Sequence, residues 1–304
     1  MRNFRITLGN FIKNSLVLTL LSTNLLYAVE MEGSVSTRFR FDSDRARREQ
    51  YSAKFRFKHD FGEESCLSVN AHLQTGVRYG SNNVDYDQGL ELNLRKVYLD
   101  VKCLIDKSIQ IGAIPVESLN GLDLDKNSWI DGMKVAVDMK GIIDRFTLTY
   151  GSVNQDASPD VIERFKEDRI QFVRATIEKE LTDKLKASLA LTDFKDDVIF
   201  QAVLEVSTKD IFPFADEIQL YTTRGKKKSY HNAIEFKKQL GDYALKYGVY
   251  NIDEELYNVS SFVGEEDAIF ISISRTFLER IKITIRARKG RTEDRLDVQA
   301  EYIF

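Results

Sequence analysis

The sequence predicts an all-β protein, a closed up-and-down barrel of about sixteen antiparallel strands. Three observations predict this fold. Apolar and polar residues alternate over most of the chain, which is the period of a strand with one apolar face. Nineteen Phe and thirteen Tyr stand against three Pro, and aromatic residues favour a sheet in which Pro cannot donate hydrogen bonds. The connections also alternate between short and long.

The first 28 residues have the pattern of a secretory signal. Arg2, Arg5 and Lys13 form a basic region without acids, residues 15–26 are mostly apolar, and Ala28 is the small residue that a signal peptidase prefers. A buried helix or a membrane anchor is the alternative interpretation. We expect cleavage after Ala28, which leaves residues 29–304 as the barrel.

Charge and cysteine content exclude several classes of protein. Removal of the signal takes away three basic and no acidic residues, so 41 basic and 47 acidic residues remain. A mildly acidic chain is not a general nucleic-acid binder. Two cysteines are too few for a disulfide-stapled small domain or a zinc site.

The strand pattern is clear at both ends of the mature chain. Met31, Val35 and Phe39 alternate with Ser34, Ser36 and Arg38 near its start, and Leu296, Val298 and Ala300 alternate with acidic and amide residues near its end. We expect strands near 31–41, 51–61, 65–79, 91–103, 107–114, 129–140, 143–151, 168–179, 184–194, 198–207, 216–223, 229–239, 242–252, 266–276, 279–288 and 294–304.

The connections between these strands indicate a meander with two different ends. Short connections alternate with long ones, as in outer-membrane barrels, where tight turns lie at one end and loops at the other. The long connections are expected at 43–49, 81–89, 115–128, 152–167, 224–228, 253–265 and 289–293. Two connections break the alternation, 195–197 by being short and 208–215 by being long.

The length of the strands places the polar face inside the barrel. A tilted strand needs about 9–11 residues to cross a bilayer, and an open sheet edge is forbidden in lipid, so the sheet must close. A barrel of about 16–18 strands leaves a water-filled lumen that hydrates charged side chains. A soluble sandwich or solenoid is the alternative, but the last strand ends in Tyr302-Ile303-Phe304 and leaves no soluble tail.

Local motifs give the chain a family resemblance. Residues 94–102 (Leu-Arg-Lys-Val-Tyr-Leu-Asp-Val-Lys) precede Ile-Gln-Ile-Gly at 109–112, and Trp-Ile-Asp-Gly at 129–132 precedes a strand that closes in Tyr150-Gly151. In this order the segments resemble the bacterial outer-membrane porins of the general, sixteen-stranded type. Tyr302 and Phe304 resemble the terminal signal that the barrel-assembly machinery recognises.

The resemblance implies a pore constriction formed by the third long connection, residues 115–128. In general porins that loop folds into the lumen, so Glu117, Asp123 and Asp125 would oppose basic residues of the wall, and opposed charges would order passing ions. The basic residues expected on the wall are Arg38, Arg40, Arg56, Arg78, Lys282 and Arg286. The alternative, a solvated acidic loop and merely hydrated arginines, stays open. The three acids lack the spacing of a calcium loop, and no metal is expected.

Two further sets of residues are candidates for sites. Cys66 and Cys103 begin the third and end the fourth predicted strand, so a disulfide is conceivable at the turn end, although alternation places them on opposite faces. Ser68, Asn70 and His72 are residue types of a hydrolytic site. Neighbours two apart on one strand lie about 7 Å apart, which argues against an enzyme.

These patterns together predict a passive channel in the bacterial outer membrane. Small hydrophilic solutes and ions would diffuse through the lumen without a cofactor. The expected partners are outer-membrane lipid, lipopolysaccharide and the barrel-assembly machinery, with no nucleic acid; a homotrimer is left open. The alternative function is a non-conducting barrel that serves as an adhesin or an envelope structural protein.

Overall fold

The computed structural model describes residues 29–43, 45–61, 66–75, 92–104, 106–115, 129–154, 169–194, 197–209, 211–225, 230–252, 267–291 and 293–304. These ranges form one closed antiparallel barrel of sixteen strands, each hydrogen-bonded to its neighbours in sequence, and β1 pairs with β16. The predicted fold class is confirmed. In the described ranges no helix is long and apolar enough to cross a membrane.

The strands lie close to their predicted positions. In chain order they are β1 Val29–Asp42, β2 Arg45–Asp60, β3 Leu67–Thr75, β4 Leu92–Leu104, β5 Lys107–Pro115, β6 Trp129–Asp138, β7 Arg145–Asn154, β8 Arg169–Thr182, β9 Leu185–Phe194, β10 Asp197–Ser207, β11 Glu217–Arg224, β12 Tyr230–Leu240, β13 Tyr243–Ile252, β14 Asp267–Phe277, β15 Ile281–Gly290 and β16 Asp294–Ile303.

The barrel has an apolar exterior and a polar interior. On β1, Val35 and Phe41 are exposed on the outside, whereas Arg38 and Arg40 are buried on the inside. On β15, Ile285 is exposed on the outside and is flanked in register by Ile273 of β14 and Val298 of β16. Because each strand has a period of two, the two faces alternate around the sheet, although one part of the interior, formed by β5, β6, β8 and β9, is apolar.

The two ends of the barrel differ in their connections. One end, here called the turn rim, holds the connections 61–66, 105–106, 139–144, 183–184, 208–216, 241–242 and 278–280. The opposite end, the loop rim, holds 43–44, 76–91, 116–128, 155–168, 195–196, 225–229, 253–266 and 291–293. Both predicted exceptions to the alternation are present, at 195–196 and 208–216.

The expected long loop at 43–49 is wrong. Strand β2 begins at Arg45 and pairs with the end of β1. The last pair of this ladder is Asp42 with Arg45. Residues 45–50 are almost all polar and lack alternation. The pairing with β1 therefore exists without the alternation by which a strand is recognised in sequence.

The barrel closes where the last residue meets the first strand. The amide nitrogen of Gly33 donates to the carbonyl oxygen of Phe304 at 2.9 Å, and the amide nitrogen of Phe304 donates back at 3.0 Å. A Cβ on Gly33 would lie 2.4 Å from the Phe304 ring, so glycine is needed for the ring to pack there. Phe304 also meets Phe55 edge to face. Tyr302 and Phe304 thus lie on the exterior of this seam, and their role in assembly stays a prediction.

Two aspartates fasten neighbouring strands at the turn rim. Asp144 accepts hydrogen bonds from Lys179 Nζ at 2.7 Å and from the amide of Glu180 at 2.7 Å. These bonds, the one from Lys179 first, hold the pKa of Asp144 below its usual value. Asp216 makes the same pair of bonds to Lys238 at 2.8 Å and to the amide of Gln239 at 2.7 Å.

Candidate functional site

The interior wall at the β1–β16 seam carries a set of arginines around one carboxylate. Asp297 accepts from Arg38 Nε at 3.1 Å and Nη2 at 2.5 Å, and from Arg40 Nε at 2.9 Å. The side chain of Asp297 is 8% exposed. These residues meet because the antiparallel register places Arg40 opposite Asp297 across the seam.

The same arrangement continues toward the loop rim. Arg295 donates to Asp42 at 2.6 Å and to Glu293 at 3.0 Å, and Arg288 lies 3.4 Å from Glu293. Together these side chains form the seam cluster: Arg38, Arg40, Arg286, Arg288 and Arg295 with Asp42, Glu293 and Asp297. Five arginines against three carboxylates leave this part of the wall positive.

A second charged wall lies on β10, β11 and β12. Glu205, Gln219 and Glu235 are neighbours in register, and Glu217 lies beside them on β11. Gln219 Nε2 donates to Glu205 at 3.0 Å and to Glu217 at 2.6 Å. We call Glu205, Glu217 and Glu235 the glutamate row.

The glutamate row is paired with lysines and lies close to the seam cluster along the wall. Lys237 lies 2.8 Å from Glu217, and Lys246 lies 2.7 Å from Glu235. Arg286, which is opposite Asp297 in register, interacts electrostatically with Glu235 as well as with Arg38 and Asp297. Lys186 is opposite Glu205 in register, so each glutamate of the row has a lysine beside it. The interior therefore carries its excess positive charge at the seam cluster, next to a row of paired glutamates.

One part of the interior wall is apolar. Ile114, Ile130, Phe172 and Phe194 form a buried cluster on β5, β6, β8 and β9, and the two phenyl rings meet edge to face at 6.0 Å. All four occupy interior positions, since Phe172 and Phe194 alternate with exterior residues and pair in register. Ile114 and Ile130 flank the connection 116–128. Sequence reasoning missed this cluster because it treated the interior face as polar throughout.

The predicted wall residues have the following places. Arg38, Arg40, Lys282 and Arg286 share the interior face of β1 and β15, and Arg56 lies on the interior face of β2 opposite His72. Arg56 is 3.9 Å from Glu32, and both side chains are exposed near the turn rim. Glu117, Asp123, Asp125 and Arg78 lie outside the described residues. The structure therefore does not test the predicted constriction.

The structure bears on the predicted disulfide between Cys66 and Cys103. Cys66 is disulfide-bonded, and Cys103 is the only other cysteine in the chain. The β4–β5 register shifts between Val101 and Leu104, so strict alternation does not give the face of Cys103.

The residues of the candidate hydrolytic site have other contacts. His72 packs edge to face on Tyr98 at 6.1 Å, and Ser68, four residues away, accepts a hydrogen bond from Asn70 at 3.4 Å. Within the described ranges no group of three His, Cys, Asp or Glu is placed to hold a metal.

Comparison with known proteins gives the class of fold. No protein-family model matches the chain, and no curated protein matches it in sequence. Among solved structures, 190 chains match. The closed barrel with an apolar exterior and a charged interior has the porin fold.

The particular protein compared is Rhodopseudomonas blastica porin. A double mutant of it has a TM-score of 0.65 and 13% identity, and the match covers 91% of this chain and 100% of the porin. Its triple mutant has a TM-score of 0.62 at 14% identity with the same coverage. At this identity the likeness establishes the fold.

Proposed function

We propose that this protein is a channel of the bacterial outer membrane through which small hydrophilic solutes and ions diffuse passively. The observation that carries the proposal is the division of the two faces. The exterior presents Ile, Leu, Val and Phe to its surroundings, whereas the interior carries the seam cluster and the glutamate row. Such an exterior suits hydrocarbon, and such an interior suits water.

The structural likeness to a porin supports the proposed channel function, because the fold is the same. Several of the similar structures are described as porins, and another is described as showing asymmetric conductivity of engineered proteins. We extend the channel function from them to this chain because the closed sheet has the strand number that leaves a water-filled lumen. Residues 1–28 are proposed to be the signal that directs export, and 29–304 the barrel.

We further propose that residues 116–128 fold into the lumen and form the constriction. Support comes from the apolar interior cluster: Ile114 and Ile130 are fully buried on the interior face at the two ends of this connection. Isoleucine and phenylalanine side chains that line a water-filled lumen are stabilised when a segment covers them and excludes water. Leu119, Leu122 and Leu124 supply apolar residues for that cover, and Glu117, Asp123 and Asp125 would then face the water.

Planar-bilayer recording tests the channel. The purified mature chain is expected to give stepwise currents that scale with the bulk conductivity of the salt solution, since ions cross a water-filled lumen without tight binding. An absence of channel events from barrels whose folding is verified by their heat-modifiable gel mobility would contradict the proposal. It would favour the non-conducting barrel.

A further inference from the structure

The connection between β10 and β11 is unlike the others at the turn rim. It has nine residues, 208–216, whereas the other connections at this rim have two to six. Its described residues include Ile211-Phe212-Pro213-Phe214, which are apolar without interruption. A hairpin in a meander needs only two to five residues, so the extra length is not required to reverse the chain.

This segment has a defined shape. Thr208 donates from its amide to the carbonyl of Asp216 at 2.8 Å and from Oγ1 to the carbonyl of Ala215 at 2.9 Å. The amides of Ile211 and Phe212 donate to the carbonyl of Thr208 at 2.8 and 3.0 Å. Asp216 accepts hydrogen bonds from Lys238 Nζ at 2.8 Å and from the amide of Gln239 at 2.7 Å. The segment is therefore fixed to β12 at its end.

The segment leans against the exterior wall of the barrel. Tyr247 donates its hydroxyl to the carbonyl of Phe214 at 2.9 Å, and the ring of Phe214 meets that of Phe236 at 6.1 Å. Phe236 and Tyr247 pair in register and stack at 5.1 Å. Both alternate with interior residues such as Glu235, so Phe214 contacts the lipid-facing side of the wall rather than the lumen.

The outer surface of the segment is apolar and open. Ile211, Phe212 and Phe214 are 57%, 40% and 50% exposed. They continue the exterior belt, because Tyr243, Leu240 and Phe277 are exposed on neighbouring strands at the same rim. Lys209 lies close to Asp216 in this segment, and the Arg275 guanidinium lies over the rings of Tyr243 and Phe277 at 5.0 and 4.7 Å.

We infer that residues 211–214 are an interfacial anchor that inserts into the phospholipid leaflet at the turn rim. This inference rests on the proposed membrane location. Three observations select lipid as the occupant: the segment packs on the lipid-facing wall, its open residues continue the belt, and aromatic rings flanked by cations suit the boundary between headgroups and acyl chains. A protein partner in the aqueous phase would need these rings to point away from the bilayer.

Fluorescence quenching tests the anchor. Trp129 is the only tryptophan, so Trp129→Phe gives a silent background into which Phe212→Trp or Phe214→Trp is introduced. Two controls carry Ile283→Trp, within the belt, and Asp183→Trp, in a tight turn at the same rim. In vesicles of acyl-brominated phosphatidylcholine, Phe212→Trp and Phe214→Trp are expected to lose emission about as strongly as Ile283→Trp. Aqueous iodide is expected to quench Asp183→Trp alone.

Two outcomes overturn the anchor and are distinguishable. If iodide quenches Phe212→Trp and Phe214→Trp while bromine quenches only Ile283→Trp, the segment faces water and is a docking surface for protein. If Ile283→Trp also escapes bromine, the membrane location fails together with the anchor. A spin label on Ile211→Cys provides the same comparison by oxygen accessibility if the tryptophan variants do not fold, because Ile211 is the most exposed of the three apolar residues.

Discussion

Replacement of Ile285 by arginine is expected to reduce folding of the barrel into lipid vesicles severely, whereas Thr284→Arg is expected to have little effect. Ile285 is 47% exposed in the middle of β15, between Ile273 and Val298 on the exterior. An arginine at the bilayer midplane of a β-barrel costs about 2–4 kcal/mol. Thr284 lies between Ser274 and Gln299 on the interior, where water would hydrate the new charge.

The two variants form a matched pair because they add the same side chain to adjacent positions. The fraction folded is measured by heat-modifiable gel mobility along a urea series in phosphatidylcholine vesicles. A cost of about 2–4 kcal/mol lowers the folding equilibrium constant by roughly 30-fold or more. If Thr284→Arg were the more harmful change, the two faces would be reversed, and the apolar side chains would pack against protein rather than lipid.

Replacement of Asp297 by asparagine is expected to lower the melting temperature of the barrel and to shift its ion preference toward anions. Asp297 is the carboxylate that binds both Arg38 and Arg40, and it is opposite Arg286. Loss of one partner from a buried ion pair costs up to roughly 3–5 kcal/mol, and less where lumen water reaches the arginines. The seam cluster also gains one net positive charge, which attracts anions.

Glu301→Gln is the control for Asp297→Asn. Glu301 lies on the same face of β16 as Asp297 and is opposite Lys282, nearer the turn rim. Both substitutions remove one negative charge. We expect a small shift of reversal potential and an unchanged melting temperature for Glu301→Gln. Equal effects of the two changes would refute a special role for Asp297.

In the same recordings, Asp123→Asn with Asp125→Asn should shift selectivity toward anions without loss of stability if residues 116–128 enter the lumen.

Most of the fold could be predicted because alternation is a local property of a strand. Residues two apart share a face whatever the strand pairs with, so the positions of β15 and β16 and the faces of Lys282 and Arg286 follow from the sequence alone. The polar start of β2 could not be recognised, since residues 45–50 pair with β1 but show no alternation of apolar and polar residues.

The interior site was less predictable because its partners are distant in sequence. Arg38 and Asp297 are 259 residues apart and meet only because the barrel closes in one register. The glutamate row has a usable signal, namely Glu205, Glu217 and Glu235 at polar alternate positions of three successive strands. The apolar cluster around Phe172 has no such sequence signal, since an apolar residue on a polar face only interrupts the alternation.

The most direct test of a wet interior within an apolar exterior is thiol modification during planar-bilayer recording. Arg286→Cys and Ile283→Cys place a thiol on the interior and on the exterior of β15, and the native Cys66 is disulfide-bonded. A charged methanethiosulfonate reagent that does not enter hydrocarbon is expected to change the current through Arg286→Cys in discrete steps and to leave Ile283→Cys unchanged. Modification of Ile283→Cys with protection of Arg286→Cys would contradict the account.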